Sequence, residues 1–480
     1  MNNLNFLVDV LKESPVFKTL EKNVKPGRTV CASGLSTINK SNIIYALCRL
    51  KGVTAFCLAS DEKEAQTLCN DLSCMGLRAY VYPVRDFNFL DFQSRSHEYE
   101  HARLKVLLKL LNHECDVAIA CVDAAAQLTV PRNVLEQSVI EFEEGRELSL
   151  EKATKALTLL GYERFDAVEG SGQFSLRGGI LDFFMPDSDY PVRCEFWGDE
   201  ITDLSYFDIE TQRRFKKTDK ITLSPSTEIV IEDRAALADK IEHKAKLLRS
   251  KNSAKAKEKL FSEAELIRSG AMIANADKFI NQIYDKPESL FDYLDRNTLV
   301  FASEFTAIQE RGKSMDFISN ETLMQGFEDG TLCRGFDRFA LTFNECTEFL
   351  QSHGTIVLEN FVHGSMPIKL SEIISFSTKQ LSAWGGSYKQ LKEDVDGLFT
   401  PESKGVIFAG TERAAKNLCD TFNADGINAV YSEGADKISK GELLVMQGAL
   451  SAGFEYPSQK FFAITYSQVS YRPEKSKKKK

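Results

Sequence analysis

Residues 172–214 read GQFSLRGGILDFFMPDSDYPVRCEFWGDEITDLSYFDIETQRR. Short alternating runs of apolar and polar side chains are separated by Gly178-Gly179 and Gly198-Asp199, residue pairs suited to turning one strand into the next. A period of two puts Val192, Cys194 and Phe196 on one face of a strand and Arg193, Glu195 and Trp197 on the other. In the preceding strand Phe174 and Leu176 form the inner face, which leaves Arg177 on the polar side at the edge of its turn. The stretch predicts strands at 173–177, 180–184, 191–197 and 201–207. With a helix at 149–160 ended by Gly161, they make a compact, mostly antiparallel α+β unit over 138–226. Two arginines and a tryptophan on an outer sheet face have the composition of a protein-interface hot spot. A surface cation–π stack with no partner fits the same residues.

On the N-terminal side the texture is different. Apolar runs at 29–33, 54–60, 79–83 and 117–122 alternate with helical patterns near 40–50, 61–76 and 98–112, which implies βαβ units and a parallel sheet. Residues 1–137 are read as the first segment of one α/β domain. After the 138–226 insert, long charged helices occupy 233–292, and a strand at 298–303 is placed to rejoin the first sheet, followed by strands at 340–344 and 355–359. That makes 227–375 the second segment of the same domain. A smaller separate α/β unit spans 376–470, with strands at 405–410, 428–432, 442–447 and 460–465 and a helix at 411–424. Residues 471–480, ending in Lys477 to Lys480, read as a basic linker.

At 480 residues several cores are required. No apolar run approaches a membrane span, and Met1-Asn2-Asn3-Leu4 lacks the features of a secretory signal, so a cytoplasmic protein is expected. The 11 cysteines are scattered and form no C-x-x-C pair, which fits buried reduced thiols and excludes a zinc ribbon. A net charge of −9 argues against a main task of gripping nucleic acid. The basic run at 240–259, which includes Lys244, Lys246, Arg249, Lys251, Lys255, Lys257 and Lys259, is read as a solvated helical face.

Two motifs speak to chemistry. Gly34-Leu35-Ser36-Thr37-Ile38-Asn39-Lys40-Ser41 follows a strand and opens a helix, and matches a phosphate loop except that Asn39 replaces the second glycine. A nucleotide site also needs a carboxylate at the end of a neighbouring strand to hold magnesium. The strand that should deliver it ends Ala302-Ser303-Glu304 where Asp-Glu is required, and Ser303 carries no charge. A relic nucleotide fold is therefore favoured over a working ATPase. His97-Glu98-Tyr99-Glu100-His101 spells H-E-x-x-H, the zinc-peptidase helix. It lies at the start of a helix whose stripe of Leu104, Leu107, Leu108 and Leu111 indicates docking on a sheet, so neither a metal site nor a catalytic residue is assigned.

The quoted stretch resembles the UvrB-like domain of bacterial transcription-repair coupling factors. Arg177-Gly178-Gly179 with Asp182-Phe183-Phe184, then Arg193, Phe196, Glu200 and Ile201, then Phe207-Asp208 with Thr211-Gln212-Arg213 carry the resemblance. It continues through GLSTINKS at 34–41, ESLFDYLDRNTLVFASE at 288–304 and GALSAGFEYPSQKFFAIT at 448–465. The resemblance implies a degenerate P-loop, helicase-like domain in two chain segments, with an inserted UvrA-binding domain and a further α/β domain. It implies docking of UvrA, which brings nucleotide excision repair to stalled RNA polymerase, with the contacts falling on Arg177, Arg193 and Trp197. Phenylalanine is also found in the family at the Trp197 position, so its packing is open to variation. Gly34, Asn39, Lys40, Ser41, Ser303 and Glu304 fall on the decayed nucleotide site, so no cofactor is expected. Between Tyr82 and His97 there is no long Tyr-rich DNA-clamping hairpin, and the sequence ends before the polymerase-binding and translocase domains of the intact factor. RNA polymerase, DNA and ATP turnover are thus expected to belong to those domains. A residual ATP- or DNA-binding module is the alternative.

Overall fold

Residues 4–85, 97–249, 253–270, 276–361, 366–385 and 387–466 are described in a computed structural model. The linker at 471–480 and most of the stretch between Tyr82 and His97 lie outside these residues. Seven short apolar strands form one wholly parallel sheet, in the order Glu372–Ser375, Val30–Ser33, Thr355–Leu358, Leu299–Ser303, Ala55–Leu58, Val117–Ala120 and Ala79–Tyr82. The strands are apolar at successive positions because helices cover both faces. Val30, Ala32, Ala55, Cys57, Val117 and Ile119 enter one core, while Cys31, Phe56, Leu58, Ala118 and Ala120 enter the other. The Leu299–Ser303 strand does rejoin the first sheet. No strand forms at 340–344: Thr342 and Glu345 make a capping box that starts the helix Phe343–His353.

This strand order sets the later chemistry. The adjacent strands Val30–Ser33, Thr355–Leu358 and Leu299–Ser303 run in the same direction. Their carboxyl ends bring Gly34, Glu359, Ser303 and Glu304 together, the edge where open α/β sheets place ligands.

The insert is built on a six-stranded sheet in the order Arg214–Lys217, Glu200–Phe207, Val192–Trp197, Ile180–Phe183, Gln173–Arg177 and Glu163–Arg164. Its pairs are antiparallel except the last. The helix Leu150–Leu159, capped by Ser149, lays Ala153 and Leu157 on the inner face with Phe174, Leu181, Phe183, Val192, Cys194 and Phe196. Gly161 follows it at φ +88, and a Cβ there would lie 2.5 Å from the Thr227 methyl, so glycine is required. Strands Arg214–Lys217, Lys220–Leu223 and Ile140–Glu143 had no counterpart in the sequence reading.

Where the chain leaves the insert it is bolted to the first sheet's helices. Arg103, fully buried in the helix Glu98–Leu111, forks onto Glu228 at 2.7 and 3.3 Å, and its guanidinium lies 4.2 Å from the Tyr82 ring centre. Glu100 accepts Thr227 Oγ1 and the Glu228 N–H, both at 2.8 Å.

The last unit has its own mixed six-stranded sheet, in the order Lys379–Leu381, Gly453–Tyr456, Phe461–Thr465, Lys404–Phe408, Glu442–Met446 and Ala429–Tyr431. The expectation of a separate unit is corrected at the level of packing. Val406, Phe408, Met446, Phe454 and Phe461 share one continuous core with Leu4, Phe6, Ile43 and Leu47. The alternating strand faces require this, because the helices Tyr388–Leu398 and Glu412–Ala424 supply the core on only one side. Among the described residues no helix is long and apolar enough to cross a membrane.

Candidate functional site

The period-two reading of Val192–Trp197 holds residue by residue: Val192, Cys194 and Phe196 are buried, and Trp197 is 83% exposed. Several charges near it are paired. Arg214 bonds Asp203 Oδ2 at 2.9 Å and Glu195, and Lys217 bonds Glu144 at 2.9 Å. Arg177 and Arg193 converge on Asp182, a buried carboxylate that reading the sequence by faces did not single out. Its period-two position opposite Arg193 was the available signal.

The outer-face position of Arg193 would leave its guanidinium free to fork onto a partner's carboxylate; the structure corrects this. Arg193 already forks onto Asp182 at 2.7 and 2.8 Å, lies 4.4 Å from the Phe207 ring centre and has a side chain only 13% exposed. The Asp182 hydrogen bonds are the first cause of its raised pKa. Arg177 donates to Asp182 at 2.8 Å and its side chain stays 51% exposed.

At the first sheet, Gly34 turns at φ +78 and the helix Thr37–Lys51 begins early enough to include Asn39. The backbone of Phe376 lies so close that a Cβ on Gly34 would stand 2.2 Å from its carbonyl oxygen. Thr378 Oγ1 donates to Gly34 O at 2.7 Å. Three of the loop's amides are taken up within the chain: Gly34 N donates to Asn360 O, Leu35 N to Glu359 O and Lys40 N to Ser36 O. Lys40, 2% exposed, donates to Ser303 Oγ at 2.9 Å, Glu304 Oε1 at 2.5 Å and Glu64 Oε1 at 3.3 Å. Ser41 donates to Asp71 at 3.2 Å, and Asp71 also accepts the Ser451 N–H and hydroxyl at 2.7 Å each. The structure thus brings Lys40, Ser303 and Glu304 into one cluster and turns Ser41 toward the last unit. Asn39 lies with Asn42 against the phenol of Tyr456.

Two carboxylates in this cluster were missed, Glu64 and Glu359, because neither falls in a motif. Burial raises Glu64, but Lys40 and the hydroxyls of Ser303 and Ser60 outweigh it and hold it below its ordinary value. Burial, with the neighbouring charge of Glu304, pushes Glu359 up to about 7.

The H-E-x-x-H imidazoles stack with centroids 5.9 Å apart, and each has a protein partner on Nδ1: Glu100 for His97 and Ser171 for His101, at 2.9 and 2.8 Å. The basic run lies on the paired helices Arg234–Leu247 and Ser253–Ser269, whose buried stripe is Leu237, Ile241, Ala256, Leu260 and Ile267. Lys246 pairs with Glu242, and Lys244 lies over the Phe336 ring. Lys251 is outside the described residues.

Residues 140–229, which carry this sheet, its helix and the outer face, match the family model of the UvrB interaction domain. The likeness extends well beyond it. The chain is 26% identical over 484 residues to the transcription-repair-coupling factor of Bacillus subtilis, covering 98% of this chain and 41% of that protein. It is 25% identical to that of Staphylococcus epidermidis, over 84% of this chain and 34% of the relative. For that of Staphylococcus aureus the figures are 22%, 99% and 41%. The resemblance to transcription-repair coupling factors therefore holds along essentially the whole chain, which spans about two fifths of the length of these relatives.

Proposed function

We propose that this chain is a protein-docking module that carries out no catalysis itself. The outer face of the 140–229 sheet, centred on Trp197, Arg177 and Arg193, docks UvrA and so recruits nucleotide excision repair in the cytoplasm. RNA polymerase, DNA and ATP turnover belong to parts of the intact factor beyond this chain. The observation that carries the reading is Trp197. A large aromatic at 83% exposure, beside Arg214 paired with Glu195 and Asp203, offers apolar area for a partner to desolvate.

The Gly34–Ser41 loop is read as a decayed phosphate loop, with Ser303 in place of the metal carboxylate. The supporting geometry is that Lys40 is paired with Glu64 and Glu304, and the backbone at Phe376 and Thr378 covers Gly34. The alternative of residual nucleotide or DNA binding rests on Lys40, Ser41 and the 240–259 run; Lys40 and Ser41 are engaged by Glu64, Glu304 and Asp71. The domain limits follow the same reading: 1–137 with 227–375, 138–226 and 376–470.

The test is a binding titration of UvrA against Trp197→Ala and Arg177→Ala, with melting measured alongside. Each is expected to cost about 2 kcal/mol of affinity, the usual size of a hot-spot truncation. Undiminished affinity in both variants would remove the reading.

A further inference from the structure

Arg177 and Arg193 meet on one carboxylate, and they are not equivalent there. Asp182 Oδ1 accepts Arg193 Nε at 2.7 Å, and Oδ2 accepts Arg193 Nη2 and Arg177 Nη2, both at 2.8 Å. Arg193 then reaches past Asp182: Nη1 donates to the Gln212 carbonyl at 3.2 Å and Nη2 to the Gln212 side-chain oxygen at 3.1 Å. A guanidinium has five N–H donors, and these four bonds leave Arg193 one. Its ring-facing side is closed by Phe207. Gln212, at φ +58, closes a turn in which Asp208 accepts the N–H and hydroxyl of Thr211, both at 2.8 Å. Arg177 is committed through Nη2 alone among the described residues.

Resting on the docking reading above, we propose that Asp182 is the positioning residue of this face. It holds Arg193 as a brace for the turn at 208–213 and aims Arg177 as the arginine that receives the partner's carboxylate. Two guanidiniums and one carboxylate leave the cluster a single net positive charge, which complements one anion. Four residues along the strand from Arg193, Trp197 meets an apolar partner surface. The partner fitted by this face presents one acidic side chain beside an apolar patch, not a pair of acidic side chains. Asp182, 1% exposed, touches neither.

The experiment titrates purified UvrA against the wild-type chain, Asp182→Asn, Arg177→Ala, Trp197→Ala and the Asp182→Asn/Arg177→Ala double variant, with thermal melting of each. Asp182→Asn is expected to lower affinity at least about fivefold while the protein remains folded. The double variant should bind no more weakly than Arg177→Ala alone, because Asp182 acts through Arg177. A merely structural Asp182 would instead add its loss to that of Arg177→Ala. If Asp182→Asn melts below the assay temperature, Asp182→Glu takes its place, keeping the charge but shifting it by one methylene. Wild-type affinity in a folded Asp182 variant, or additive losses in the double variant, overturns the assignment even where Trp197→Ala confirms docking. If neither Trp197→Ala nor Arg177→Ala weakens binding, the docking reading itself fails.

Discussion

Arg193 and Trp197 lie on one face of one strand, and substitution should separate them. Trp197→Ala removes a ring that is mostly in solvent, so its melting should stay within about 0.5 kcal/mol of wild type. Arg193→Ala strips the buried Asp182 of its bidentate partner and releases Gln212, and should cost about 1–3 kcal/mol of stability. Chemical denaturation of the two variants side by side checks this; equal stabilities would mean the Asp182 fork is not formed in solution. Glu359 supplies a pH test. Its folded pKa of about 7 lies above the ordinary glutamate value of 4.5. Its contribution to stability is therefore fully present below 4.5 and lost as pH rises to about 7, on the order of 2–3 kcal/mol. Glu359→Gln should gain stability relative to wild type between pH 5 and pH 8. A constant difference across that range would show that Glu359 titrates normally.

The helix Thr37–Lys51 shows the same principle for a whole element. It is buried along most of its length, polar residues included, and Lys40 and Ser41 find their partners inside the chain. Lys40 finds Glu64, Ser303 and Glu304. Lys40→Met is expected to destabilise the protein by about 3 kcal/mol, because it leaves carboxylates facing each other at the strand ends. In a functional phosphate loop the same change would mainly abolish nucleotide binding. Here calorimetry with ATP and magnesium should detect nothing tighter than roughly millimolar, before or after the substitution. A micromolar constant in the wild type would mean that the Glu64 and Glu304 contacts open for ligand.

Across the whole molecule, buried polar bolts reinforce the joints between bodies: the insert has a core of its own, while the last unit shares one with the first sheet. Arg103 with Glu228 ties the exit of the insert to the first sheet, and Asp71 with Ser451 ties the last unit to the Thr37–Lys51 helix. Arg103→Ala leaves buried Glu228 with Thr129 and, at 3.8 Å, Arg85, and should cost about 3 kcal/mol. Melting followed through the exposed Trp197 and by far-UV dichroism should fall together; a separate early transition of the insert would show that the bolt couples little. The net charge of −9 bears on DNA. Any affinity for duplex DNA should fall at least about tenfold between 50 and 200 mM salt, as expected for binding by scattered lysines.

The sequence by itself determined what is local and periodic. Alternation along 192–197 assigned both faces of that strand, apolar runs separated by helical patterns identified the parallel sheet, and the 288–304 stretch placed a strand back in it. These follow from backbone geometry, where a period of two or 3.6 residues decides the direction of each side chain. The local motif at 34–41 was legible as a shape, and its missing glycine and carboxylate as a departure from it. Only the tertiary structure decided what each charged side chain meets. Asp182 lies across the Gly178-Gly179 turn from Arg177 and opposite Arg193 on the next strand, but only the folded sheet shows both guanidiniums meeting on it. Glu64, from the helix Glu62–Cys74, and Glu304, from a strand end, reach Lys40, and Ser451 reaches Asp71 across 380 positions. Buried charges are settled by whichever partner the fold brings within hydrogen-bond distance, because an unpaired one is too costly to leave in the interior. For that reason Arg193, which the strand period places on the outer face with Trp197, is in the folded chain a brace.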